Sequence, residues 1–68
     1  MAISARNQLG GRIEELVLGD IMAHVVVRVG DNVVESVITR TSAEELKLKV
    51  SDTVKVIVKS TEVMIQKD

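Results

Sequence analysis

Ile21-Met-Ala-His-Val-Val-Val-Arg-Val29, followed at once by Gly30-Asp31-Asn32 and Val33, is the stretch from which the fold is read. Successive side chains of an extended strand point to opposite faces, so Ile21, Ala23, Val25, Val27 and Val29 share one face and Met22, His24, Val26 and Arg28 the other. Gly30, Asp31 and Asn32 tolerate the positive φ of a tight hairpin, which turns the chain back into a further strand from about Val33 to Thr39. On the N-terminal side, Gly19-Asp20 makes another turn and Asn7 to Leu18 reads as the first strand. Gly10-Gly11 inside it signals a bulge or a close backbone approach. On the C-terminal side, Thr41 to Leu48 is the one helical segment, with Ser42 and Glu45 spaced as a capping box. Thr53 to Lys59 follows as a fourth strand, and after a break at Ser60-Thr61 the chain resumes as a fifth, Glu62 to Gln66.

The composition agrees with strands. Thirteen valines and six isoleucines supply nineteen of the thirty-one apolar residues, and β-branched side chains favour pleated surfaces. Five short strands with one short helix between the third and fourth is the element order of an all-β, five-stranded barrel of the oligonucleotide/oligosaccharide-binding (OB) type. A single domain over residues 1–68 accounts for the whole chain.

A chain of 68 residues buries only about 60% of the surface its unfolded form exposes, and small scaffolds need a staple. With no cysteine and one histidine, neither a disulfide framework nor a thiolate or histidine-built metal site supplies it. Oligomerisation is the remaining device. Val25-Val26-Val27 and Ile57 put apolar residues on both faces of their strands, more than one barrel interior can take, which points to a subunit interface.

The formal net charge is −1, and there is no Phe, Tyr or Trp. A nucleic-acid surface lacks both its basic field and its stacking platform. No apolar run reaches membrane-spanning length and the start lacks the apolar core of a signal peptide, so the expected compartment is the cytoplasm and no membrane partner is expected. His24 has no sequence-adjacent nucleophile, and Glu14-Glu15 and Glu44-Glu45 have structural readings as strand neighbours and helix-start acids, so an enzyme is the least favoured class.

What the polar residues offer instead is oxyanion binding. Arg6 brings a planar fork of donors, Ser4 a hydroxyl, Asn7 and Gln8 amides. Lys59-Ser60 lies at a strand break that frees backbone N–H groups, and Thr39 with Thr41-Ser42 precedes the helix, whose start gathers further N–H groups. The alternative leaves Ser42 as a cap, Lys59 as a solvated cation and Ser4 in a frayed terminus. The rival of another class is a structural or regulatory OB-type module that binds a protein or nucleic-acid partner.

Ser4-Ala-Arg-Asn-Gln-Leu9, Thr39 to Leu46, and Val58-Lys-Ser-Thr-Glu-Val-Met-Ile65 together resemble a molbindin, the stand-alone Mop domain, over essentially the whole chain. The resemblance implies a homohexamer, a trimer of dimers, that holds molybdate or tungstate at subunit interfaces with no organic cofactor. It carries the oxyanion site onto Ser4, Arg6, Asn7, Thr39, Ser42, Lys59 and Ser60, with Ser4 and Arg6 of one subunit meeting Lys59 and Ser60 of another. Gly10, His24 and Arg40 depart from the residues usual in similar sequences.

Overall fold

The structure, a computed structural model, describes residues 3–68; Met1 and Ala2, the start of the opening polar stretch, lie outside them. Four strands, β1 (Asn7–Leu18), β2 (Met22–Val29), β3 (Asn32–Thr39) and β4 (Thr53–Val58), form one antiparallel sheet in the order β3-β2-β1-β4. The first half of β1 pairs with β4, from Asn7↔Val58 to Arg12↔Thr53. Its second half pairs with β2, from Arg12↔Arg28 to Leu18↔Ala23. This long strand therefore carries both halves of the sheet. Ile13, Val25 and Val27 form the core, with Leu16, Val29, Ile38, Leu48, Val54 and Val56 packed against them.

Of the two alternatives read from Gly10-Gly11, the close backbone approach is the one that occurs there, and the bulge lies elsewhere in β1. The register slips between Ile13 and Glu15, so the bulge is at Glu14. The close approach is at Gly11, where an added Cβ would meet Arg28 O at 2.6 Å and the Val27 and Val29 side chains at 2.7 and 2.9 Å. Gly30 turns the β2–β3 hairpin with φ of 60°.

The helix α1 (Arg40–Glu45) is shorter than the expected Thr41 to Leu48 and is capped three residues earlier than Ser42. Thr39 is the N-cap, its Oγ1 accepting from Ser42 N at 3.1 Å. Glu44 and Glu45 consequently fall in the last turn, and Glu44 lies 3.8 Å from Arg40 Nε. Lys47, with φ of 54°, ends the helical path. Arg40 ties this corner down: its N–H donates to Ile21 O at 2.8 Å and its Nη1 to Gly19 O at 3.1 Å.

Among the described residues the fifth strand expected from Glu62 to Gln66 is absent, and the sheet is open rather than a closed barrel. Ser60–Glu62 is a 3-10 turn, closed by Glu62 N–H to Lys59 O at 2.9 Å. It is not a two-residue hairpin, so the tail does not fold back along β4. Met64 and Ile65 are 92% and 89% exposed. The gap between β3 and β4 remains as an apolar cavity of about 180 Å³, lined by Ile38, Leu48, Val54 and Val56.

The chain is expanded for its size. It exposes 5789 Å², whereas compact monomers of 7.4 kDa expose about 4,200 Å². Its radius of gyration is 12.7 Å against about 11 Å for a compact domain of this length. Among the described residues no helix is long and apolar enough to cross a membrane.

Candidate functional site

The pairing of Asn7 with Val58 places the segment before β1 beside the segment after β4. Gln8 Nε2 donates to Ala5 O at 3.0 Å, tying that segment to the start of β1. On the other side, Lys59 is extended and leads into the 3-10 turn, with its side chain making no capping bond. Between the two lies a cleft of about 560 Å³ lined by Ser4, Arg6, Lys59, Ser60 and Thr61, with Ile3, Ala5 and Ile57 as apolar walls.

Ser4 and Arg6 thus share a cleft with Lys59 and Ser60 inside one chain. The expectation had these two donor sets meeting across a subunit boundary; the β1–β4 ladder also brings them to one cleft within the chain. Thr61 was not singled out from the sequence, although its hydroxyl next to Ser60 was the available signal. Asn7, the first residue of β1, is half-buried and lies outside the lining of the cleft.

Thr39 and Ser42 are elsewhere. β3 and β4 are the two outer strands of the sheet, and Thr39 pairs with Met22 near the Leu18 end of β1, whereas Lys59 follows the strand that pairs with its Asn7 end. Neither Thr39 nor Ser42 lines the cleft at Arg6. Locally their hydroxyls serve the cap: Thr39 Oγ1 donates to Ser42 Oγ at 2.8 Å and accepts from Ser42 N.

The cleft holds two cations without counter-ions. Among the described residues the ion pairs are Arg28–Glu14 at 2.9 Å and Arg40–Glu44 at 3.8 Å, beside a His24–Glu35 hydrogen bond at 2.7 Å; Arg6 and Lys59 enter none of these. A guanidinium, an ammonium and three hydroxyls around one opening form a donor set for a doubly charged oxyanion. Among the described residues no three His, Asp or Glu side chains converge to hold a metal ion. A tetrahedral oxyanion of four oxygens, at about 30 Å³ per water-sized oxygen, fills on the order of 100 Å³. One chain therefore leaves most of the cleft open.

A family model described as the TOBE domain matches residues 3–65. Molybdenum-pterin-binding protein 1 of Clostridium pasteurianum is 46% identical over 66 residues, 96% of this chain and 97% of that protein. Among solved structures, a molybdate binding protein from Sporomusa ovata is similar with a TM-score of 0.94 at 36% identity, over 98% of this chain and 100% of that one. MopII from C. pasteurianum is similar with a TM-score of 0.91 at 43% identity, over 97% and 100%.

Proposed function

The chain belongs to the TOBE-domain family, and from that premise we propose that it binds molybdate or tungstate as the dianion, without converting it, for storage or homeostasis. The observation that carries this reading is the pair of uncompensated cations, Arg6 and Lys59, lining one cleft with Ser4, Ser60 and Thr61. Arg6 and Lys59 balance the two negative charges, and the hydroxyls fix the orientation. The similar Sporomusa structure, a molybdate binding protein, and the Clostridium relative, named for a molybdenum-pterin, support it. The Clostridium relative also carries a pterin in its name, but this chain has no aromatic side chain on which a pterin ring could stack, so the oxyanion is the ligand we assign.

A second copy completes the site. Thr39 and Ser42, which do not line the cleft within one chain, come from a neighbour that closes its open side. The excess surface of about 1,600 Å² over a compact monomer is about twice the ~800 Å² that one partner contributes to a standard interface, room for contacts with more than one neighbour. The exposed tail, Val63-Met64-Ile65, is apolar and rich in strand-forming residues; in the assembly it becomes the fifth strand by pairing with a neighbour and filling the gap between β3 and β4. A trimer of dimers is the assembly we assign.

Discrimination follows from size. Sulfate is smaller than molybdate, so donors placed on strands around the larger ion stand too far from the smaller one for good hydrogen bonds. Calorimetric titration with molybdate, tungstate and sulfate tests this. Saturable binding of the first two with much weaker sulfate binding is expected; equal affinity for all three, or none, sinks the reading.

A further inference from the structure

A second cleft, of about 400 Å³, lies midway along β1 and is lined by Arg12, Ile13, Glu14, Arg28, Val50 and Ser51. Arg12 and Arg28 stand directly opposite each other in the β1–β2 ladder. Like charges at such a position repel and destabilise the pair of strands. Ile13 and Val27, the adjacent pair, point into the core, so the two guanidinium groups share the outer face. Lys55, opposite Gly10 and two residues on from Thr53, adds a third cation to that face. Gly10 has nothing within 4 Å of a would-be Cβ, which leaves the space beside Arg12 open.

Only part of this charge is matched. Glu14, the bulged residue, takes Arg28 Nε at 2.9 Å and Nη2 at 3.4 Å. Glu15 pairs with Val26 and does not line the cleft. Arg12 enters no ion pair among the described residues. Glu14 thus fixes the Arg28 fork in place and leaves the whole of the Arg12 fork without a partner. Ser51 completes the rim in a backbone conformation rare outside glycine, φ of 81°, held there by its own N–H donating to Ile13 O at 2.8 Å. Strained residues of this kind persist where the surroundings over-determine them, and functional sites are where they gather.

We propose that Arg12, Arg28 and Ser51 form a second anion site, separate from the Arg6–Lys59 cleft, that takes a tetrahedral oxyanion of the phosphate class. The anion relieves the Arg12–Arg28 repulsion by lying between the two forks, with the Ser51 hydroxyl donating to a third oxygen. Glu14 competes with it for Arg28, so its carboxylate sets the affinity.

The test is a titration of the full chain with inorganic phosphate at fixed ionic strength, followed by the amide resonance of Ser51 and the Nε–H resonances of Arg12 and Arg28. A saturable shift at these three is expected, kept in Arg6→Ala and weakened at least tenfold in Arg12→Gln. Glu14→Gln changes the response in the opposite direction, to tighter binding. Adenosine monophosphate, run in parallel, separates the sources: competition at the same resonances assigns a phosphate ester, and its exclusion assigns the free ion. Shifts that chloride reproduces at equal ionic strength, or that survive Arg12→Gln unchanged, overturn the proposal.

Discussion

Gly11 shows how much a single residue can owe to its neighbours across the sheet. Its missing side chain is where Arg28 O and two valine methyls already sit, so Gly11→Ala must push the β1 and β2 backbones apart. A loss of about 1–3 kcal/mol is expected for this kind of overpacking, read from the urea midpoint, while Gly10→Ala, which meets nothing within 4 Å, leaves the midpoint nearly unchanged. The sequence marks the pair but not which member is obligatory, because that depends on register against β2. The binding residues were legible in the same partial way. Ser4, Arg6, Lys59 and Ser60 stand out as donors by type, but their sharing of one cleft follows from the Asn7↔Val58 pairing, which no spacing within the chain encodes. With the cleft closed by a neighbour, Arg6→Ala is expected to weaken molybdate binding by about 2–5 kcal/mol, the cost of removing one charge partner from a pair desolvated in the assembly. Light scattering on the same variant should return the wild-type mass, since Arg6 is exposed and makes no ion pair with another described residue.

At the level of elements, strands were readable because period-two alternation and turn residues are local properties. The bounds of β1 follow from them, and those of β2, β3 and β4 to within a residue. The helix was less so. Thr39, Thr41 and Ser42 can each cap by residue type, and the choice fell to Thr39 because Arg40 is anchored to Ile21 O and Gly19 O, which fixes where the helix begins. Thr39→Ala should therefore cost about 1 kcal/mol, seen as a melting temperature lower by about 4–8 °C in a domain of this size. Ser42→Ala keeps the capped N–H and should lose much less. A larger loss for Ser42→Ala than for Thr39→Ala would return the cap to the position expected from sequence. If a neighbour's Thr39 and Ser42 complete the oxyanion site, both variants also weaken molybdate binding.

For the whole molecule, the missing fifth strand and the excess surface have one cause. A strand is stable only when an edge accepts its backbone groups and a face covers its side chains. Glu62 to Gln66 has the composition of a strand, yet Ser60–Glu62 turns without making a hairpin, and Val63, Met64 and Ile65 stay exposed while β3 and β4 keep free edges around an apolar gap. A single sequence cannot state that its last strand belongs to another copy, because the pattern of the strand is the same in either case. Truncation after Glu62 separates the alternatives. If the tail joins copies, the shortened chain scatters light as a monomer and melts below the full chain, because the gap loses its filling and each subunit its neighbour. Its melting temperature also becomes independent of protein concentration, whereas that of the full chain rises with it. A truncated chain that keeps the full assembly mass would place the joint elsewhere, on the outward row Val17, His24 and Val37, where two apolar residues at least half exposed flank the His24–Glu35 pair.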